Sequence, residues 1–157
     1  MTSKLSILLN IILIAVIAFG VNKFVIQGST APSDDGRTAL LIAPSEKDYV
    51  LTEMRAFLET VQGITTAIGE DDMAKVSTLA AKAGKFSPAN VPAPLFAKMP
   101  LEFKTLGMET HTLFENLAKT AAESGSAQAV SVALGDLMLN CTACHSSYRL
   151  DLEPLSN

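Results

Sequence analysis

The 157 residues give room for one domain and an appendage, and a hydrophobic share of 48% allows a sizeable core. All 16 acidic residues follow residue 33 while Lys4 and Lys23 precede it, so the remainder holds 10 basic side chains against 16 acidic ones, a net −6. That excess, with no Trp and only 6% aromatics, excludes a basic surface or base-stacking platform and with it nucleic acid as a partner.

Residues 1–26 are apolar from Leu5 to Ile26 except for Ser6, Asn10, Asn22 and Lys23. About 20 such residues cross ~30 Å of hydrocarbon. Lys4 before the run and acidic residues after it put Met1 in the cytoplasm and the rest outside. In a bacterial envelope this means an inner-membrane anchor with the domain in the periplasm. The alternative is a soluble periplasmic domain after cleavage, since Ala18-Phe19-Gly20 and Ser29-Thr30-Ala31 offer small residues to a signal peptidase. The length of the run and the apolar Phe24-Val25-Ile26 beyond Lys23 favour the anchor.

Residues 27–44 are small and polar, interrupted by Pro32, Gly36 and Pro44, and read as a linker. From there no alternating strand pattern of convincing length appears, and residues 45–150 divide into four helical periods, with 151–157 as a tail. The first begins at Ser45, which caps with Asp48 in support, and carries Val50, Leu51, Met54, Phe57, Leu58, Val61, Ile64 and Ile68 before Gly69. The second opens on Asp71-Asp72, carries Met73, Val76, Leu79 and Ala80, and stops at Gly84. Residues 85–99 contain three prolines and form the long connection. The third helix starts near Pro100, with Phe103, Leu106, Leu113, Phe114, Leu117 and Ala121 on one side. The fourth follows Ser126, with Val130, Leu134, Leu137, Met138, Cys141, Cys144 and Tyr148 on one face. Four amphipathic helices predict an all-α, antiparallel four-helix bundle behind a single transmembrane or signal-anchor helix.

The only two cysteines fall in Cys141-Thr142-Ala143-Cys144-His145. This C-x-x-C-H form marks covalent attachment of a c-type haem. On a helix, positions three and four apart are neighbours, so two thiols bond the vinyl groups while the histidine turns its imidazole to the iron. Covalent linkage also retains the cofactor in an exported protein. The rival readings have less support. A thioredoxin-like dithiol needs a strand-to-helix junction, a disulfide three residues apart inside a helix is strained, and a zinc site needs further ligands where only His111 remains.

With this motif near the C-terminus, followed by Ser146-Ser147-Tyr148-Arg149, residues 45–150 resemble the cytochrome c′ family, the class II c-type cytochromes. Residues 100–119 also look like the third helix of exported bacterial relatives. The resemblance implies one haem c thioether-linked to Cys141 and Cys144, with His145 as proximal ligand. It implies that Arg149, one helical turn past His145, lies near the imidazole, and that Tyr148 packs against the ring. A solvated helix-end cation is the alternative for Arg149.

In this family the residue facing the iron from the other side comes from the first helix, where Met54 lies mid-stripe. A thioether there gives His/Met ligation and a raised reduction potential, which suits electron transfer. Alternatively Met54 only fills space over an open iron. Met108 is the runner-up, Met138 and Met73 compete less well, and His111 reads as a structural or haem-edge histidine. Arg55 either pairs with a haem propionate or faces solvent. The expected function is a membrane-tethered electron carrier serving redox partner proteins at the membrane surface, with no paired acid and base to suggest an enzyme. The alternatives are a five-coordinate protein binding NO or CO, and a haem-free dithiol protein. The resemblance also allows a homodimer through the first two helices.

Overall fold

The computed structural model describes residues 2–154. Helix α1 (Thr2–Gly20) is continued by a π-helical segment, Val21–Gln27, and strands β1 (Thr30–Pro32) and β2 (Thr38–Ile42) follow. Then come α2 (Pro44–Gly69), α3 (Met73–Gly84), a 3₁₀ turn at Pro88–Asn90, and α4 (Ala93–Lys98). Helices α5 (Leu101–Ser124) and α6 (Ala127–Ser147) and strand β3 (Tyr148–Leu152) complete the chain. The fold is the expected all-α bundle behind an apolar helix, with a small sheet added.

The apolar helix Lys4–Gln27 spans 24 residues, is long and apolar enough to cross a membrane, and buries none of its most apolar window against the protein. It ends on Gly28, a buried residue at φ +62° whose N–H donates to the Lys23 carbonyl at 3.0 Å. The next amide, Ser29, donates to the Lys98 carbonyl at 2.7 Å. The helix therefore runs straight into the folded domain.

Residues 27–44, expected to be a linker, are largely structured. β1 pairs antiparallel with β2, and β2 pairs in parallel with β3 from Thr38 opposite Tyr148 to Ile42 opposite Leu152. The start of the expected C-terminal tail is the end of that third strand. A parallel pair needs a long crossover, and here the whole bundle is the crossover. Strands of three and five residues carry too short a pattern to read. In β2, Ala39, Leu40 and Ile42 are all buried, so hydrophobic alternation is absent as well.

Within the bundle α2 packs on α3, α3 on α5 and α5 on α6, while α6 closes back on α2 through a slighter contact. Helix α2 starts one residue earlier than expected and is not capped by Ser45. The Ala43 N–H donates instead to Glu46 Oε2 at 2.7 Å, and the same carboxylate oxygen takes Lys98 Nζ at 2.7 Å. Lys98 also reaches Glu153 at 2.8 Å, so one cation clamps the start of α2, the end of α4 and the segment after β3. The Asp72 carboxylate caps α3 by accepting from the Lys75 N–H at 2.9 Å. Pro100 is the cap of α5, and Gly125 ends that helix at φ +57°. Ser126 caps α6 as expected, accepting from the Ala129 N–H at 3.3 Å.

The buried side chains form two clusters. One fills the bundle, with Ile64, Val76, Phe114, Leu117, Val130 and Leu137 at its centre. The other, around Leu40, Ile42, Val50, Leu95, Met99 and Tyr148, joins the sheet to α2 and α4.

Candidate haem site

Helix α6 carries the C-x-x-C-H motif on its last two turns, where the two clusters meet. Cys141 packs against the bundle cluster, and Cys144, one turn on, against the sheet-side cluster. Both are free, half-buried thiols. Burial pushes the Cys141 thiol up, and burial together with the neighbouring Cys141 does the same for Cys144. The Cys141 S–H weakly donates to the Leu137 carbonyl at 3.9 Å.

The helix is fixed against α5 one residue before the motif. The Asn140 amide donates to the Leu106 carbonyl at 2.8 Å and to Thr110 Oγ1 at 2.7 Å. Asn140 carries no period or motif of its own in the sequence; its only signal is an amide set directly before Cys141. The His145 imidazole is exposed and makes no side-chain hydrogen bond among the described residues.

On the facing helix α2, Met54 is half-buried and packs into the cluster that holds Cys144, Phe103 and Leu106. Phe57, one turn later, packs into the cluster that holds Cys141. The structure thus brings Met54 and the motif onto one apolar lining. Met99, not considered from sequence, is buried in the same cluster. Met108 and Met138 are exposed, and Met73 packs on the bundle cluster. The Arg55 guanidinium donates to Thr52 Oγ1 at 2.9 Å on its own helix.

His111 is held away from solvent by contacts of its own. A carbonyl only accepts, so the 2.7 Å contact to the Ala83 carbonyl places the proton on Nδ1. Its ring stacks on Phe86 at 4.5 Å and leans on Phe57 at 5.1 Å.

Tyr148 and Arg149 do not continue the helix. α6 ends at Ser147, and both residues lie in β3, because pairing with β2 draws the chain into extended backbone. Tyr148 is buried, meets Phe103 edge-to-face at 5.3 Å and donates its O–H to Glu102 Oε2 at 3.1 Å. Burial first, and Glu102 second, push its phenol up to about 12. Arg149 is therefore not one helical turn past His145. Its guanidinium is engaged by Asp151 at 2.9 Å, Ser33 at 3.1 Å and Asp35 at 3.2 Å.

The cation closest to the end of α6 is Arg37, from the hairpin before the bundle. Its Nη1 donates to the His145 carbonyl at 3.4 Å and the Tyr148 carbonyl at 3.3 Å, while Asp35 holds the other side of the guanidinium at 2.7 Å. The last carbonyls of a helix are its negative end, so a cation is stabilised there. Arg37 in turn holds the Asp35 carboxyl well below the usual carboxylate range.

These residues fit a covalently held macrocycle. The two thiols lie one turn apart on one helix, at the junction of two apolar clusters, followed by an exposed imidazole, and the Met54 thioether packs on one of the same clusters. Among the described residues no group of three or more His, Cys, Asp or Glu gathers as a closed metal site would need.

Residues 92–149, from the start of the α4 turn through the motif to β3, match the family model described as Cytochrome C′. No curated protein and no solved structure matches the chain.

Proposed function

We propose, from the match of residues 92–149 to the cytochrome c′ family model, that the chain is a protein of that kind with covalently attached haem c, and that it is a membrane-tethered, outward-facing carrier of single electrons. The haem supplies a one-electron iron couple. Cys141 and Cys144 would hold it by thioether bonds, and His145 would be the proximal ligand. Met54 would be the ligand on the opposite side. The observation that supports this is that Met54 of α2 and Cys144 of α6 pack against the same apolar cluster. A thioether ligand stabilises the reduced iron and suits electron transfer. With the haem in place, an apolar lining of this kind would limit water around it and so lower the reorganisation that accompanies each transfer.

The anchor reading is supported by how the apolar helix joins the domain. Cleavage at Ser29-Thr30-Ala31 would remove Gly28 from its seat and cut into β1, the strand that covers the edge of β2. A retained anchor leaves both intact and sets the bundle directly on the membrane surface, facing the periplasm, where its redox partners would dock.

The test is the optical and resonance Raman spectrum of the reduced, haem-loaded protein and of Met54→Ala, with and without carbon monoxide. Low-spin wild type turning high-spin in the variant, with carbon monoxide bound only by the variant, is the expected result. A high-spin wild type that takes up carbon monoxide freely would remove Met54 as ligand and put NO or CO binding in place of electron transfer.

A further inference from the structure

A groove of about 500 Å³ lies between the end of the anchor and the α4–α5 corner. Phe24 and Val25 of the anchor form one wall, and Phe96, Leu101 and Met108 form the other. The single charged side chain lining it is Lys104, which is 8% exposed. The ammonium sits 4.6 Å from the centroid of the Phe96 ring and donates to the Phe24 carbonyl at 3.4 Å. No carboxylate of the described residues pairs with it. A buried ammonium without a counter-charge is costly, and desolvation lowers its pKa below the ordinary lysine value. A cation–π contact and one long hydrogen bond offset that cost only in part.

The location identifies the missing anion. The 17 α-helical residues Lys4–Gly20 rise about 26 Å at ~1.5 Å each, and the π-helical Val21–Gln27 continues from there past ~30 Å of hydrocarbon, so the last turn, with Phe24 and Val25, stands at headgroup depth. The groove is thus continuous with the lipid-facing surface of the anchor, apolar where acyl chains lie and cationic at one point. We propose that it binds one anionic phospholipid of the membrane, acyl chain against Phe24, Phe96 and Met108, and phosphate paired with the Lys104 ammonium. This rests on the anchor being retained in the membrane. A bound lipid at this corner would fix the tilt of the bundle, and so the orientation of the haem site, relative to the surface.

The full-length, haem-loaded protein in detergent micelles is titrated with phosphatidylglycerol or phosphatidylcholine and examined by native mass spectrometry. Wild type is expected to retain one phosphatidylglycerol in preference to phosphatidylcholine, with Lys104→Met about tenfold weaker and Lys104→Arg near wild type. Circular dichroism and the Soret band check the fold of Lys104→Met. Should that variant fail to fold, Thr105→Glu, at an exposed position on the groove, places a carboxylate beside the lysine and is expected to expel the lipid equally. Equal retention of the two lipids by wild type, or undiminished phosphatidylglycerol binding in Lys104→Met or Thr105→Glu, overturns the proposal. Displacement of the lipid by inorganic phosphate overturns the lipid as occupant. Alkaline carbonate extraction of native membranes tests the anchor separately. Release of the chain there sinks the anchor reading, whereas an embedded chain without lipid preference sinks the groove alone.

Discussion

Gly28 is the residue on which the coupling of the apolar helix to the domain depends, and Gly28→Ala tests that coupling. The residue sits at φ +62° and ψ −152°, a region essentially confined to glycine, where any other residue costs about 1–3 kcal/mol in backbone strain. The added methyl would also lie 2.3 Å from the Lys98 carbonyl oxygen and 2.7 Å from both the Met99 carbonyl carbon and the Pro100 nitrogen. All three atoms are backbone, so no side chain can swing aside. Relief requires moving the α4–α5 corner, which carries the Lys98 clamp and the Ser29 hydrogen bond. Gly125→Ala is the internal control, because Gly125 has φ +57° but nothing within 4 Å of an added Cβ. The control should lose about 1 kcal/mol, or ~2–4 °C in Tm. Gly28→Ala should lose roughly 3–5 kcal/mol, or ~10 °C and more. The assay is thermal unfolding of the full-length haem protein in detergent, followed by circular dichroism, with limited proteolysis at residues 28–37 as a local readout. Equal losses in the two variants, with no new cleavage near residue 28, would refute the tight seat of the apolar helix on the domain.

Glu102→Gln should bring the Tyr148 phenol down from about 12 toward its ordinary 10, though not fully, because burial, the larger cause, remains. Ultraviolet titration of the phenolate band reads this directly, with Tyr49 the only other tyrosine. The phenol's folded pKa exceeds its unfolded one, so its stabilising share is complete below about pH 10 and is lost as pH rises toward 12. Lys98, raised by Glu153 and then Glu46, acts in the same direction. Wild type should therefore lose stability above about pH 10, and Glu102→Gln less steeply; an unchanged Tyr148 titration would contradict the hydrogen bond. Arg37→Gln withdraws the cation from the last carbonyls of α6 and should cost about 1 kcal/mol locally, seen as roughly fivefold faster amide exchange over residues 145–150. Unaltered exchange there would show that β3 pairing alone holds the end of the helix.

The bundle and the attachment motif were legible along the chain because both are written in local spacing. The stripe Met54, Phe57, Val61, Ile64 and Ile68 repeats at the helical period, Asp72 and Ser126 cap from the positions their side chains favour, and C-x-x-C-H needs only one turn of helix to assemble. What the sequence by itself determined was therefore the four helices, the apolar helix before them and the place of the C-x-x-C-H motif on the last of the four. Tertiary structure alone decided the sheet, whose strands are too short to carry a period and whose parallel pair joins residues 38–42 to residues 148–152. That pairing ends α6 at Ser147, draws Arg149 to Asp35 and Ser33, and leaves Arg37 at the His145 carbonyl. It also turned an apparent linker into a seat for the apolar helix and buried Lys104 beside it. The physical reason is common to all of these. Helix periodicity is set by hydrogen bonds four residues apart, whereas Arg37, Arg149, Lys98 and Lys104 each also hold a partner 52 to 116 residues away that they meet only when the chain has closed on itself.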